Sequence, residues 1–452
     1  SSASLPVAGS GASGLTFPSK AWERGAAAAR YICRLASSPL LQKSALSVFD
    51  QAVVSGTSFV TAVILARQCP REELGVYYLA LSLIFFVRGI QEQIVCAPYM
   101  IYCSRKQGTA LAEYAGSSLI HQCVVMSAAS TILAGALLLG FAPAVTQAAF
   151  WLLVGAGPLL LLREYIRQMS FAHLEMRTAI TVDVAVSVLQ LVAMGGLVLT
   201  GHLGVVETLA TMGISSGVPA IVWLLAKSRP MLPRLDAALR DFLSNWTFAR
   251  WALASQLLAC TTPYVMPWVV ALTHGEADTG TLGACVTLVG LANMFMMGLC
   301  NFLSPRAARA FAEGGLAELK SVLAKTALLF GLSLGSIAVA GFLVGEPVAM
   351  LVYGPQFAGT GWIIGVLSLS VLANSMGVTA GNGLWAMERP QANFVADLTS
   401  LGVVIVATIS LVPLFGPLGA ALATLSGTTT DAAVRLLILR LTMRELAAGR
   451  TP

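Results

Sequence analysis

The stretch LSVFDQAVVSGTSFVTAVILA (Leu46–Ala66) is followed by RQCPREE (residues 67–73) and then by LGVYYLALSLIFFVRGIQEQIVCAP (Leu74–Pro98). Each apolar run has about the 20 residues that an α-helix needs to cross roughly 30 Å of hydrocarbon. The connection between the runs is short and charged. This pattern predicts two antiparallel transmembrane helices, and it repeats along the chain.

Ten further apolar runs of similar length follow. The chain is 57% hydrophobic and 11% charged, whereas ordinary soluble domains are about 25% charged. We therefore predict an all-α membrane protein with twelve transmembrane helices. The twelve runs are Leu46–Ala66, Leu74–Pro98, Ala115–Leu139, Pro143–Leu162, Thr178–Leu199, Thr208–Ala226, Trp251–Leu272, Thr281–Leu303, Thr326–Val344, Trp362–Ala386, Ala392–Leu411 and Leu418–Leu439.

The basic residues alternate between the two ends of these runs. Of the 27 Lys and Arg residues, 24 fall on the N-terminal arm, the even-numbered connections or the C-terminal end. Cytoplasmic loops attract Lys and Arg, so both termini are predicted to be cytoplasmic. The net charge of +6 then favours anionic lipid headgroups as partners, and not nucleic acid.

Internal similarity divides the runs into two halves. Asp183 opens the fifth run as Asp397 opens the eleventh, and the turns GHLG (201–204) and GPLG (416–419) lie 215 positions apart. Six runs per half make the repeats parallel, so we predict two six-helix lobes related by a pseudo-two-fold axis along the membrane normal. The predicted parts are a disordered arm (1–41), an N-lobe (42–226), an amphipathic cytoplasmic connection (227–250), a C-lobe (251–445) and a tail (446–452).

No catalytic or cofactor motif is evident. The eight cysteines are scattered without metal-ligand spacing, and no phosphate-binding loop or nucleophile elbow is present. We expect neither a metal nor a cofactor, and no enzyme activity.

Arg88 is the only basic residue placed near the middle of a predicted span, where such a charge costs about 2.5–3.5 kcal/mol. Glu92 follows at i+4 on the same helical face, and Asp50 in the first span lies at a similar depth. The trio predicts either a cavity-facing site for an anionic headgroup or a coupling cation, or a buried ion pair that pins the first two helices together.

Other polar residues in the spans have two interpretations each. Asp183 and Asp397 are expected near helix N-termini, where the macrodipole favours a carboxylate, and Asp431 is expected to pair with Arg435. Asn293 suits either an interhelical hydrogen bond or substrate contact.

Pro263 and Pro267 interrupt the seventh span, because each removes a backbone donor. They predict either a hinge for alternating access or a passive kink.

Several segments resemble polysaccharide-transporter proteins of the multidrug/oligosaccharidyl-lipid/polysaccharide exporter superfamily. They are VFDQAVVSGTSFVTAVILARQCPREELGVYYLALS (Val48–Ser82), LANMFMMGLCNFLSPRAARAFAEGG (Leu291–Gly315), LVYGPQFAGTGWII (Leu351–Ile364) and LVPLFGPLGAALATLSG (Leu411–Gly427). The resemblance implies a flippase for an undecaprenyl-diphosphate-linked glycan in the bacterial inner membrane, serving O-antigen, capsule or exopolysaccharide synthesis. Arg250 and Arg306 at the cytoplasmic mouth would assist Arg88 in holding the diphosphate.

Two other functions compete with this one. A cation-coupled multidrug exporter of the same superfamily would use Asp50, Glu92 or Asp183 to bind Na⁺ or H⁺. A non-transporting scaffold would recruit a glycosyltransferase or polysaccharide polymerase through the basic cytoplasmic face.

Overall fold

The structure is a computed structural model that describes residues 39–141, 143–227 and 231–448. Within these ranges it is helical and contains no strand, as predicted. Helices α1 to α7 are Pro39–Gln68, 71–102, Gly108–Leu138, Ala144–Ala172, Met176–Thr200, Val205–Lys227 and Leu235–His274. Helix α2 consists of Arg71–Gln91, a π-helical turn at Glu92–Cys96, and Ala97–Tyr102. The helical run Glu276–Tyr353 contains α8 and α9, Gly361–Ala386 is α10, and Pro390–Ala447 contains α11 and α12.

Two glycines divide the two longest helical runs. Gly315 has φ 63° and ψ −153°, and Gly416 has φ 55° and ψ −127°. Positive φ is readily adopted only by glycine, so each residue turns the chain between helices: α8 ends and α9 begins at Gly315, and α11 ends and α12 begins at Gly416. Gly201, the counterpart of Gly416 in the repeat, also has a positive φ of 70° and ends α5. Divided in this way, the described chain has twelve helices.

Length and composition support a multi-pass membrane protein. Ten segments within the described ranges are long and apolar enough to cross a membrane. One of them contains both α11 and α12, and none includes α7.

The turns between successive helices alternate between the two ends of the helix bundle. We call the end with the turns after α1, α3, α5, α7, α9 and α11 the odd-turn face, and the opposite end the even-turn face. The N-lobe is α1–α6 and the C-lobe is α7–α12.

The apolar cores show where the lobes join. The largest buried cluster combines N-lobe residues such as Leu74 and Leu209 with C-lobe residues such as Tyr353 and Ile364, toward the odd-turn face. Toward the even-turn face each lobe has a core of its own, around Tyr165 in the N-lobe and around Leu384 in the C-lobe. The lobes are therefore joined at the odd-turn face and separate at the even-turn face.

Close packing and hydrogen bonds seal the odd-turn face. Gly75 of α2 lies against α8 so closely that an added Cβ would be 1.9 Å from the Glu276 carbonyl oxygen. Arg67, at the end of α1, donates from Nε to the Val352 carbonyl (2.7 Å) and from Nη2 to the Leu351 carbonyl at the end of α9. These contacts form what we call the odd-turn seal.

Helix α7 is shared between the lobes. Its first half packs on the N-lobe, where Asn245 accepts a hydrogen bond from Tyr114 (3.1 Å). Its second half packs on the C-lobe, where Met266 and Val270 join a buried cluster with residues of α11 and α12. Because α7 is one helix from Leu235 to His274, the part of the predicted connection from Leu235 onward continues without a break into the seventh span.

Candidate functional site

A cavity of about 810 Å³ lies between the lobes, on the even-turn side of the seal. Its wall comes from α1, α2, α4 and α6 of the N-lobe and from α7, α8, α10 and α12 of the C-lobe. Its charged lining residues, Arg88, Arg163 and Glu164, all belong to the N-lobe. Its C-lobe wall is neutral, and the polar lining residues there are Thr262, Thr279, Thr287, Asn293, Ser370, Asn374, Thr424 and Thr428.

The side chain of Arg88 extends from α2 to α4. Its Nη2 lies 2.9 Å from Oε1 of Glu164, and the same carboxylate oxygen accepts a hydrogen bond from Gln168 Nε2 at 2.9 Å. The Arg88 side chain is 33% exposed and that of Glu164 is 13% exposed. The pair therefore faces the cavity with the arginine as the more accessible member.

Arg167, one turn along α4, ties this pair to two buried aspartates. Its Nη2 is 2.8 Å from Asp50 Oδ2 on α1, and its Nε is 3.0 Å from Asp183 Oδ2 on α5. Its Nη1 lies 3.8 Å from Glu164. Arg163 completes the cluster with Nη2 2.6 Å from Asp183 Oδ1. We call these six residues, contributed by four helices, the N-lobe ionic cluster.

The cluster is balanced in formal charge, with three arginines and three carboxylates. Balance matters because an isolated charge in a low-dielectric interior costs several kcal/mol. Asp50 and Asp183 are completely buried. The charges nearest the cavity are two arginines and one carboxylate, so the lining keeps a net positive charge.

Four of the predicted site residues line the cavity: Arg88, Asn293, Pro263 and Pro267. Asp50 and Asp183 lie behind the wall in the ionic cluster. The lining does not include Glu92, Arg250 or Arg306. Arg250 instead lies over the Trp251 ring, 5.7 Å from its centroid.

The structure corrects two predictions about these charged residues. Arg88 pairs with Glu164 and not with Glu92 or Asp50, because its side chain reaches toward α4, while Asp50 is taken by Arg167. The assignment of Asp183 to a helix N-terminus was wrong, since α5 begins at Met176 and places Asp183 two turns inside.

The same correction holds for the C-lobe counterpart. Asp397 lies two turns after the start of its helix at Pro390, and it pairs with Arg435. The predicted pair of Asp431 and Arg435 is confirmed, with Oδ1 2.9 Å from Nε.

Sequence reasoning missed the α4 contribution. Hydropathy predicts that the fourth span ends at Leu162, with Arg163 and Arg167 in a cytoplasmic connection, but α4 continues to Ala172. A signal was present: Leu162, Tyr165, Ile166 and Met169 repeat at i, i+3, i+4 and i+7, the period of an apolar helix face, and all four are buried in the N-lobe core.

The arrangement suits an anion with a polar, neutral extension. A guanidinium carries five N–H donors in a planar fork that matches phosphate oxygens, and Arg88 uses one nitrogen on Glu164. The hydroxyls and amides of the C-lobe wall can exchange hydrogen bonds with hydroxyl groups. The described residues contain no group of three or more His, Cys, Asp or Glu side chains that could hold a metal ion.

Comparison with known proteins finds similarity at the level of structure. No protein-family profile matches the sequence, and no curated protein matches it. An inward-facing multidrug resistance MATE family transporter of the MOP superfamily superposes with TM-score 0.71 at 13% identity, over 89% of this chain and 96% of that one. The lipid II flippase MurJ, in an inward closed conformation, gives 0.73 at 13% identity, over 88% and 87%.

An outward-facing MATE family transporter of the same superfamily scores lower, 0.56 at 14% identity over 90% of this chain and 97% of that one. At these identities the likeness concerns the fold. The chain has the helical fold shared by MATE transporters and MurJ.

Proposed function

We propose that this protein flips a lipid-linked oligosaccharide across the bacterial inner membrane by alternating access between its two lobes. The observation that carries the proposal is the division of the cavity wall, with arginines on the N-lobe side and neutral hydroxyls and amides on the C-lobe side. A diphosphate joined to a glycan has the same division of charge. One of the structural neighbours is a lipid II flippase, which supports cargo of this class.

The mechanism follows from the positions of the charges. Arg88 and Arg163 attract the diphosphate, whose two negative charges exceed what Glu164 already supplies. Charge-assisted hydrogen bonds of this kind are roughly twice as strong as neutral ones. The glycan occupies the hydroxyl-lined part of the cavity, and the prenyl chain stays in the lipid, where each buried CH₂ contributes about 0.8 kcal/mol.

The direction of access follows from the charge pattern. We take the even-turn face as cytoplasmic, because it carries nearly all the Lys and Arg residues of the connections. The separate cores at that face let cargo enter from the cytoplasm, and opening of the odd-turn seal releases it outside. Pro263 and Pro267 lie where α7 passes from one lobe to the other, so we propose that α7 bends there as the lobes move.

The test is flipping by the purified protein in liposomes that contain a fluorescent undecaprenyl-diphosphate-linked oligosaccharide. Arg88→Ala should lower the rate at least tenfold, and Arg88→Lys should restore part of it because a lysine keeps the charge and loses the fork. Arg309→Ala is the matched control, since Arg309 is exposed, lies 3.7 Å from Glu313 and does not line the cavity.

Normal flipping by Arg88→Ala would remove Arg88 from the mechanism. Absence of flipping by wild-type protein, with recovery on adding a glycosyltransferase or polymerase, would favour the scaffold function instead.

The cation-coupled multidrug exporter is the second candidate, because Asp50 and Asp183 are buried carboxylates in the N-lobe. Both already have guanidinium partners, so Na⁺ or H⁺ would have to displace an arginine. This favours transport without a cation at that site. Flipping that continues when the Na⁺ and proton gradients are collapsed would support the flippase, and drug efflux that stops under the same conditions would support the exporter.

A further inference from the structure

The first half of α7 has one face attached to the N-lobe. Three polar contacts hold it against α3 and the turn before α3. They join Asp241 Oδ1 to Lys106 Nζ at 3.4 Å, Asn245 Oδ1 to the Tyr114 hydroxyl at 3.1 Å, and the Ala238 carbonyl to His121 Nε2 at 2.8 Å. Ala237, Ala238 and Ala249 are buried on the same side. This half of the helix therefore has a fixed orientation on the protein.

The opposite face is apolar and exposed. Leu235, Leu239 and Leu243 recur every four residues and are 78%, 63% and 61% exposed. Trp246 extends the row at 38% exposure. Residues at this spacing share one helix face. A fixed row of exposed large apolar side chains marks a surface that something else covers.

Arginines border this row. Arg234 lies just before the helix and Arg240 lies between the leucines, with side chains 60% and 75% exposed. Arg240 lies 3.9 Å from the exposed Asp236, and Arg234 lies 2.7 Å from the half-buried Glu113. Ion pairs at the surface contribute little. Both guanidinium groups are thus available to an anionic surface.

We propose that this face, Leu235, Leu239, Leu243 and Trp246 with Arg234 and Arg240, binds the anionic phospholipids of the membrane leaflet at the even-turn face. Continuity of the chain identifies the occupant, because the segment lies between the membrane helix α6 and the membrane half of α7. An apolar helix face bordered by basic residues is the form in which helices lie in a lipid interface. A soluble partner protein would have to reach the same face at the membrane boundary.

The proposal does not depend on the cargo. Each arginine close to an anionic leaflet adds roughly fivefold to the affinity, and the leucines and Trp246 add apolar burial. The attached face transmits this binding to the N-lobe, and the same helix continues to Pro263. Lipid composition therefore affects α7 near Pro263, where the helix passes from the N-lobe to the C-lobe.

The test is hydrogen exchange of the full-length protein in vesicles of phosphatidylcholine alone or of phosphatidylcholine with phosphatidylglycerol. Backbone amides of residues 235–247 should exchange at least threefold more slowly with phosphatidylglycerol, and 0.5 M salt should reduce the difference. Arg234→Gln with Arg240→Gln should abolish the difference. The control pair Arg440→Gln with Arg444→Gln, two exposed arginines of α12, should keep it.

In the double variant Leu239→Ser with Leu243→Ser, the same amides should lose protection from exchange in both lipids. This variant measures the contribution of apolar burial separately from that of charge. Equal exchange of the wild-type protein in the two lipids would overturn the proposal. So would protection that requires an added protein and ignores the lipid.

Discussion

Removing the Arg67 side chain should release the odd-turn seal. Arg67 reaches from α1 to the Leu351 and Val352 carbonyls, which belong to the last turn of α9. Carbonyls in the last turn of a helix have no intrahelical donor, and a cation there also interacts favourably with the helix dipole. One arginine thus satisfies two carbonyls of the other lobe.

The expected magnitude follows from these contacts. Hydrogen bonds that involve a charged group contribute about 1.5–3 kcal/mol, and the exposure of Arg67 places the total near the lower end. Gln356 still donates to the Ala66 carbonyl in the variant. We therefore expect Arg67→Ala to favour opening of the odd-turn face by about 1.5 kcal/mol, or roughly tenfold in the equilibrium.

The assay uses a single cysteine at Val286, a cavity-lining residue of α8, in a variant whose other cysteines are replaced. A membrane-impermeant maleimide is added to intact cells, and the labelling rate is measured. Arg67→Ala should raise the rate about tenfold. Arg71→Ala is the control, because the Arg71 side chain makes no ion pair or hydrogen bond with the described residues of the C-lobe.

An unchanged labelling rate in Arg67→Ala would refute the assignment of the seal. Labelling of Val286→Cys from the cytoplasm alone in every variant would show that the odd-turn face never opens outward. Gly75→Leu gives an independent check, since its side chain has no room against Glu276. It should raise the labelling rate in the same direction.

Three further predictions concern separate parts of the molecule. Arg167→Met should lower the free energy of unfolding by about 3–5 kcal/mol, because it leaves Asp50 buried without its counter-charge; thermal unfolding in detergent measures this, and an unchanged melting temperature would contradict it. Pro263→Ala with Pro267→Ala should slow flipping severalfold by stiffening α7; a wild-type rate would mean that the prolines are passive kinks. Burial, with Glu73 nearby, raises the pKa of Cys69 to about 12, so its thiolate is scarce at neutral pH and alkylation should be slow until the protein is denatured; rapid labelling of the native protein, followed by mass spectrometry, would show otherwise.

The apolar runs and their turns were sufficient to predict most of the fold. Runs of about 20 residues predict helices because lipid leaves a backbone no other way to satisfy its polar groups. The repeat of Gly201 and Gly416 marked two turns that the structure places at the ends of α5 and α11. The i, i+4 pair of Asp431 and Arg435 was also predictable, since both residues belong to one helix.

The ionic cluster was only partly predictable, for a physical reason. Arg88 and Glu164 are 76 positions apart, and their pairing depends on how α2 packs against α4, which one sequence does not specify. Hydropathy also places Arg163 and Arg167 outside the fourth span, because the apolar run ends at Leu162. A hydropathy run ends at the first charges, whereas a helix continues as long as one face stays buried.

The N-lobe ionic cluster also constrains how the protein is made. Helix α4 carries Arg163, Glu164 and Arg167, and one of the carboxylates that balance its arginines, Asp183, lies on α5, which the ribosome delivers later. Before α5 is synthesised, α4 has an excess positive charge beside lipid. We therefore expect it to remain at the insertion machinery or against α1. Stable insertion of α4 is then expected to depend on α5, and a truncation after α4 should be degraded while one after α6 accumulates.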